Sequence, residues 1–499
     1  MTGFGRCSVQ SAALYGVEAV PVDVEVAVTT GMPGFHIVGM VDAAVQEARE
    51  RVRVALKSSG FSMPGDRVLV SLAPSSLKKT GSGFDLAIAV GILVATGQIQ
   101  PSVAQGSLFV GELSLDGGVR PVKGLLAYAM CARDMGYALV CSHFADGLIP
   151  VDGLRDRGIE KLRDLMDPEC NAIDYGCPCP DAPEIDYADV SGNEVAKRAV
   201  QIAAAGNHGL LMMGPPGSGK TMLASRIPTI MPPLSDDERL QVALVHSVAG
   251  VDISECLAGL RPFRHPHHSA TAPGLIGGGN PIRPGEISLA HLGVLFLDEL
   301  PEFRSSVLQQ MRQPLEEGKV RISRADGTVT FPSRFMLVAA ANPCACGFFG
   351  DPERSCTCSP KRISEYQGKI GGPLMDRIDL HIDVRRVPPK DVLSKSGGTT
   401  SAQLKEGVFR GRSYASWRRS RESYPRTTQG LIASCHLVAD DELFFEDAAV
   451  ANSMSGRAIV RTLSVARTIA DMDERARVSR EDLCEALGLR LRPGVGEQS

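Results

Sequence analysis

The stretch Leu210-Leu211-Met212-Met213-Gly214-Pro215-Pro216-Gly217-Ser218-Gly219-Lys220-Thr221 sets how the rest of the chain is read. Four apolar residues predict a buried strand, and Gly214 to Thr221 matches G-x-x-x-x-G-K-[ST] without a mismatch, ahead of a helix-like run. In such a loop, glycines let backbone N–H groups wrap phosphates, Lys220 neutralises the terminal phosphates, and the Thr221 hydroxyl can ligand Mg²⁺. Gly214, Pro215, Pro216, Gly217, Ser218, Gly219, Lys220 and Thr221 are therefore the expected nucleotide-binding residues. The bland alternative, a Gly-rich turn with an incidental Lys, fits the strand-to-helix placement poorly.

Two more apolar strands extend the pattern. Val294-Leu295-Phe296-Leu297 runs into Asp298-Glu299, so a strand tip delivers two carboxylates where an α/β sheet binds its ligand. Asp298 suits the Mg²⁺ and Glu299 suits polarising an attacking water, which makes ATP and Mg²⁺ the expected cofactors. Met336 to Ala341 ends in Asn342-Pro343, whose neutral amide would stand between the other two tips and orient water, although Asn-Pro also simply makes turns. Apolar strands alternating with helical segments predict a parallel-sheet α/β unit. Further on, Gly372-Pro373-Leu374-Met375-Asp376-Arg377-Ile378-Asp379 sets an Arg among acids, which alone reads as a surface ion pair.

The chain has 499 residues, room for two to four domains at roughly 100 to 200 residues each. At 43% hydrophobic and 22% charged it is near the globular average, which excludes a chain disordered throughout. With 53 Lys and Arg against 57 Asp and Glu the net charge is −4, so any polyanion must meet local Arg/Lys patches or a channel built from several subunits. Its 13 cysteines are odd in number and cluster in short C-x-C pairs, which fits a reducing cytoplasm better than a secreted disulfide framework. Met1 to Leu14 does not read as a signal peptide, and Leu86 to Thr96 is about half of a membrane span, so a soluble cytoplasmic protein is expected.

Residues 1–165 alternate strand-like runs (Val22 to Val28, Arg67 to Leu72) with helix-like runs (Ala43 to Ser58, Asp85 to Thr96) and read as a first domain. Residues 166–190 are acidic and contain Pro and Cys, as a linker would. Residues 191–390 hold the phosphate motif and its strands. Residues 391–499, beyond Pro388-Pro389 and a Ser/Gly/Thr run, are expected to be helical, with an amphipathic stretch from Ser455 to Met472.

The P-loop, the Leu-Asp-Glu strand end, the strand ending in Asn-Pro and the Leu-x-Asp-Arg-x-Asp segment together resemble the magnesium-chelatase-like branch of the AAA+ ATPases. More closely, Phe35-His36-Ile37-Val38-Gly39, Gly83-Phe84-Asp85-Leu86, Gly111-Glu112-Leu113-Ser114-Leu115-Asp116-Gly117, Arg264-His265-Pro266-His267-His268-Ser269, Asn342-Pro343-Cys344-x-Cys346-Gly347 and Val465-Ala466-Arg467-Thr468-Ile469-Ala470-Asp471 are similar to the YifB/ComM family, over nearly the whole chain. The resemblance implies an α/β fold: a P-loop AAA+ core with helices on both faces of a parallel sheet, an N-terminal α+β domain like that of Lon protease, and a C-terminal helical lid. It implies that Asn342 is sensor 1, that Arg377 is an arginine finger reaching a neighbour's nucleotide, and that Arg457 is sensor 2, so that these three join Glu299 as catalytic residues. It further implies a homo-hexamer acting on DNA through a central pore, since competence members of the family are described as hexameric helicases that drive branch migration during natural transformation. Helical spacing agrees for Arg457: Ile459, Leu463, Ala466 and Ala470 form an apolar stripe, while Arg457, Arg461, Ser464 and Thr468 share another face. A solvated arginine face would show the same pattern.

Between the P-loop and Asp298, Arg261 to His291 is too long and too rich in Pro, Gly and His for an ordinary connection. In chelatase-like ATPases an insert within the second helix occupies this place and faces the pore. A second hairpin is predicted from Lys319 to Arg324 paired with Thr328 to Phe331 across Asp326-Gly327. In a ring, Arg264, Arg283, Arg321 and Arg324 could line a basic channel for DNA, and surface solvation of the same side chains is an equal alternative. The proline between His265 and His267, Pro266, spoils helical or strand spacing for metal ligands among His265, His267 and His268. Cys344-x-Cys346 and Cys356-x-Cys358 bring four soft ligands together and suit tetrahedral Zn²⁺, with free or redox-active thiols as the alternative. Cys170, Cys177 and Cys179 have no fourth partner nearby.

Rival readings are a chelatase motor driving metal insertion and an ATP-dependent protein remodeller or protease. The protease would need a Ser activated by a Lys; Ser82 is not clearly aligned with a nucleophile, and Lys123 is the plausible amine.

Overall fold

The computed structural model describes residues 5–145, 148–167, 173–175, 185–324, 327–351, 353–369, 372–375, 377–388, 390, 398–422, 424–425 and 427–490. Its central sheet has five parallel strands in the order Phe263–Arg264, Val294–Leu297, Met336–Ala341, Leu210–Met213 and Leu380–Asp383. Three of them are buried at every residue, as a strand covered on both faces must be. Period-two alternation sorts their side chains. Leu210, Met212, Val294, Phe296, Val338 and Ala340 pack with helix Glu194–Gly206 and the C-terminal helices, whereas Leu211, Met213, Leu295, Leu297, Leu337 and Ala339 pack with Leu275, Leu300, Phe303 and Met311.

The N-terminal residues form a seven-stranded mixed sheet, ordered Gly34–Val38, Arg67–Ala73, Glu18–Thr29, Gly5–Tyr15, Ser107–Phe109, Ala138–Ser142, Arg155–Ile159. Helices Ala43–Ser58 and Asp85–Ala95 bury one apolar cluster against it. A second cluster is shared with the middle of the chain. Leu125, Tyr128 and Ala129 of helix Leu125–Met135 meet Leu234, Val242 and Ala243, the last two from helix Asp236–Ala249. That latter helix opens on a Ser235/Glu238 capping box and stops at Gly250, whose φ of 74° is open to glycine at little cost.

Among the described residues, five helices follow the central sheet: Ser401–Arg421, Thr428–Cys435, Ala439–Ala451, Gly456–Met472 and Arg480–Gly488. Leu463, Ala466 and Ala470 are buried on the expected stripe. The opposite face is not simply solvated. Arg461 is paired with Asp379, and Thr468 Oγ1 lies 2.8 Å from His208 Nε2, so the helix is tied to the entry end of strand Leu210–Met213. Burial alone would raise the Asp379 carboxyl, but His208 and Arg461 overcome it and hold the group near about 2.

The acidic linker ends earlier than its composition implies. Tyr187 is fully buried, its hydroxyl donates to the Leu223 carbonyl at 2.7 Å, and its N–H donates to Ser401 Oγ at 2.9 Å, so residues 185–190 belong to the central unit. Cys170, Cys177 and Cys179 lie outside the described residues. The hairpin forms, from Lys319 opposite Pro332 to Arg324 opposite Gly327, but Gly327 pairs as the first residue of the second strand and not as part of an Asp326-Gly327 turn; Asp326 lies outside the described residues. No helix among the described residues is long and apolar enough to cross a membrane.

Candidate nucleotide site at the strand tips

Parallel order brings the C-terminal ends of Leu210–Met213, Met336–Ala341 and Val294–Leu297 side by side, and the residues beyond those ends converge. Lys220 Nζ lies 2.7 Å from the Gly214 carbonyl, 3.0 Å from the Pro215 carbonyl and 3.3 Å from Asn342 Oδ1. Burial pulls the Lys220 ammonium below its usual pKa, while Asp298 and Glu299 oppose that shift. Thr221 Oγ1 donates to Asp298 Oδ2 at 2.9 Å. Two loop glycines meet hard constraints: Gly219 sits at φ 90°, and a Cβ on Gly214 would come within 2.2 Å of the Val384 carbonyl.

The loop fits a nucleotide and its cation. Ser218 Oγ is buried without a hydrogen-bond partner among the described residues, and the paired Thr221 and Asp298 oxygens are the hard donors that Mg²⁺ prefers.

Glu299 departs from ordinary backbone geometry. Its φ of 51° is rare for a non-glycine residue. Its N–H donates to Asp298 Oδ1 at 2.9 Å, and its Oε2 lies 3.1 Å from His268 Nδ1. His268 is a site residue that motif reading does not single out from the other loop histidines. It lies just beyond edge strand Phe263–Arg264, which pairs with Val294–Leu297, and strand order is what carries it to Glu299. The other two histidines do not reach Glu299 in the same way: His265 packs on the Phe296 ring at 4.8 Å, and His267, whose ring lies 4.1 Å from that of His268, sets its Nδ1 2.8 Å from Ser269 Oγ. The three do not converge as metal ligands.

Arg377 and Arg457 do not join this cluster. Arg377 pairs with Glu316, and the segment it begins is anchored at the far end of the strand, where the N–H groups of Asp379 and Leu380 donate to the Gly209 carbonyl at 3.0 and 2.9 Å. A four-residue strand spans roughly 13 Å, which separates that end from the chain's own P-loop. Arg457 is exposed in the first turn of its helix, one turn before Arg461, whose guanidinium reaches Asp379 at the same far end.

The four channel arginines divide. Arg264 is corrected: its Nε and Nη2 lie 2.6 and 2.8 Å from the Glu286 carboxylate, so this half-buried guanidinium is neutralised within the chain. Arg321 stands 3.8 Å from Glu317, a loose surface pair. Arg283 and Arg324 are exposed and line a 780 Å³ cavity facing Ser82, Glu112 and Lys123 of the N-terminal unit. Tyr15 there donates to the hairpin carbonyl of Thr328 at 2.8 Å. In that cavity Ser82 is hydrogen-bonded to Glu112 and not to Lys123, so the arrangement of a Ser–Lys nucleophile is absent from these described residues.

The cysteine loop begins two residues after Asn342. Cys344, Cys346, Cys356 and Cys358 place their sulfur atoms within 4.8 Å of one another, and no other His, Cys, Asp or Glu group of this kind occurs among the described residues.

Three family descriptions tile the chain: "Subunit ChlI of Mg-chelatase" matches residues 24–143, "Magnesium chelatase, subunit ChlI" residues 186–392, and "Magnesium chelatase, subunit ChlI C-terminal" residues 398–490. A protein named YifB from Salmonella typhimurium is 40% identical over 496 residues, covering 97% of this chain and 96% of that protein. Competence protein ComM from Haemophilus influenzae is 40% identical over 501 residues, covering 97% of each. The similarity to the magnesium-chelatase 67 kDa subunit of Chlorobaculum parvum is narrower, 27% over 164 residues, 32% of this chain and 23% of that one. Full-length identity at this level, on top of a P-loop whose partners meet at the tips of one parallel sheet, means that the chain belongs to the YifB/ComM family of magnesium-chelatase-like AAA+ ATPases.

Proposed function

We propose that the chain is one subunit of a homo-hexameric ATP-driven motor that moves DNA through a central pore, promoting branch migration during natural transformation or recombination. The observation that carries this reading is the division of its polar and charged residues between two ends of one sheet: Lys220, Thr221, Asp298, Glu299 and Asn342 at one end, Arg377 at the other. A sheet so divided completes its site against a second copy. The proposed organisation is a Lon-like domain over residues 1–165, a linker shortened by the docking of residues 185–190, an AAA+ core to residue 390 and a helical lid over 391–499.

In the bound state the N–H groups of Gly217, Ser218 and Gly219 would wrap the phosphates, since Pro215 and Pro216 carry none, and Lys220 would leave the Gly214 and Pro215 carbonyls for them. Thr221 and Asp298 would hold Mg²⁺, whose charge supports the phosphates during transfer. Asn342 orients water. Glu299 polarises it, and to do so must part from His268. Replacing Lys220 with Ala removes the loop's only cation, and turnover is expected to fall below about one hundredth of wild type; near-normal hydrolysis would sink the assignment.

DNA is the proposed polymer because Arg283, in the short strand Arg283–Pro284, and Arg324, at the tip of the hairpin, stand exposed on one cavity in a chain that is acidic overall. The experiment is ATPase rate against forked DNA, unfolded protein, and porphyrin with a chelatase partner, each in turn. Stimulation by DNA alone is expected, and it should weaken as salt rises from about 50 to 200 mM because phosphate contacts release counterions. Stimulation indifferent to salt removes the basic channel, and stimulation by either other partner selects the corresponding rival.

A further inference from the structure

We propose that Cys344, Cys346, Cys356 and Cys358 bind one Zn²⁺, and that this centre clamps the loop after Asn342 onto the rim of the P-loop, so that nucleotide affinity depends on the metal. The reading goes beyond the motor assignment and rests on it only for the nucleotide half. Cys344 Sγ lies 3.3 Å from Cys346 Sγ and 3.6 Å from Cys356 Sγ, and Cys346 and Cys356 are 3.5 Å apart. Four sulfurs around Zn²⁺ at roughly 2.3 Å make a tetrahedron with edges of about 3.8 Å, whereas a disulfide needs about 2.0 Å. The observed separations belong to the first arrangement.

A loop of this composition also needs a staple. Residues 345–358 carry Gly347, Gly350, Asp351 and Ser355, lie outside any described helix or strand, and bury little apolar surface of their own. Metal coordination supplies the folding energy that such a segment cannot obtain from a core.

The link to the nucleotide site is direct. A Cβ on Gly347 would stand 2.6 Å from Pro216 Cδ, so the cysteine loop already rests on the P-loop. Arg386 donates to the Pro216 carbonyl at 3.3 Å, lies 3.8 Å from Asp351, and stacks over the Phe348 ring at 5.4 Å, joining both loops through one side chain. Upstream, Asn342 accepts from Lys220 only two residues before Cys344. Releasing the four sulfurs would free all three attachments.

The full chain, purified without chelator under reducing conditions, is expected to contain about one zinc, with X-ray absorption reporting four sulfur neighbours. Cys356→Ser/Cys358→Ser, which leaves buried Cys344 in place, should lose the zinc and bind a fluorescent ATP analogue roughly tenfold more weakly, a common size for coupling between two sites. Lys220→Ala should lose the analogue and keep the zinc. Wild-type protein free of metal, with the thiols of Cys344, Cys346, Cys356 and Cys358 all open to alkylation and no uptake of added Zn²⁺, overturns the proposal, as does zinc retained at full occupancy by the double variant. Unchanged nucleotide affinity in a zinc-free variant overturns the clamp. Zinc-loaded wild type that binds no ATP analogue fails the nucleotide-site reading, and with it the clamp, while upholding the metal centre.

Discussion

Arg377→Ala protein is expected to bind ATP yet hydrolyse it roughly 10³ to 10⁵ times more slowly than wild type, the contribution of an arginine that stabilises charge on a transferring phosphoryl group. The size of that loss separates two readings. As a partner of Glu316 alone, Arg377 is a mostly covered surface ion pair whose removal costs stability and leaves turnover near normal. As a finger, it acts at a distance from its own P-loop, because the segment beyond it is fastened to Gly209 at the opposite end of strand Leu210–Met213. Geometry then demands a second subunit. Mixed with Lys220→Ala protein, the Arg377→Ala chain should regain part of its activity, since some interfaces combine an intact loop with an intact finger. Subunit exchange is checked with labelled protein. Exchange without recovery means concerted firing around the ring or action in cis, and a normal rate for Arg377→Ala alone restores the simple ion pair.

Glu299→Gln is expected to retain ATP and lose hydrolysis by about 10² to 10⁴, the usual contribution of a positioned general base. The amide keeps the shape of the carboxylate and can still meet the His268 imidazole, so the left-handed turn at φ 51° has no reason to relax. What it lacks is the charge that draws a proton from water. Analogue binding measured beside single-turnover hydrolysis checks both halves. If the variant fails to bind ATP, Glu299 holds the loop together and does not act on water.

Placing His268 against Glu299 also changes the meaning of the Arg-His-Pro-His-His-Ser segment. As a loop sequence its composition suggests metal at most, and Pro266 counts against that. In the fold it sets His268 against the Glu299 carboxylate, while Arg264 from the same segment is paired with Glu286.

Features written in consecutive residues are legible without the fold. Strands Leu210–Met213, Val294–Leu297 and Met336–Ala341, the P-loop, the Asp298-Glu299 pair, the Lys319–Pro332 hairpin and helix Ala43–Ser58 can all be read from the chain, because apolar runs, turn pairs and backbone caps act over a few neighbours. Which strand lies beside which is a matter for the packed molecule. Packing brings Asn342 to Lys220 and His268 to Glu299, sets Asp379 between His208 and Arg461, draws Tyr187 out of an apparent linker into a core, and carries helix Asp236–Ala249 onto helix Leu125–Met135 of the N-terminal unit. Those pairings depend on burying faces of elements distant in the chain, a free energy that belongs to the whole packed arrangement and that no local stretch of residues encodes.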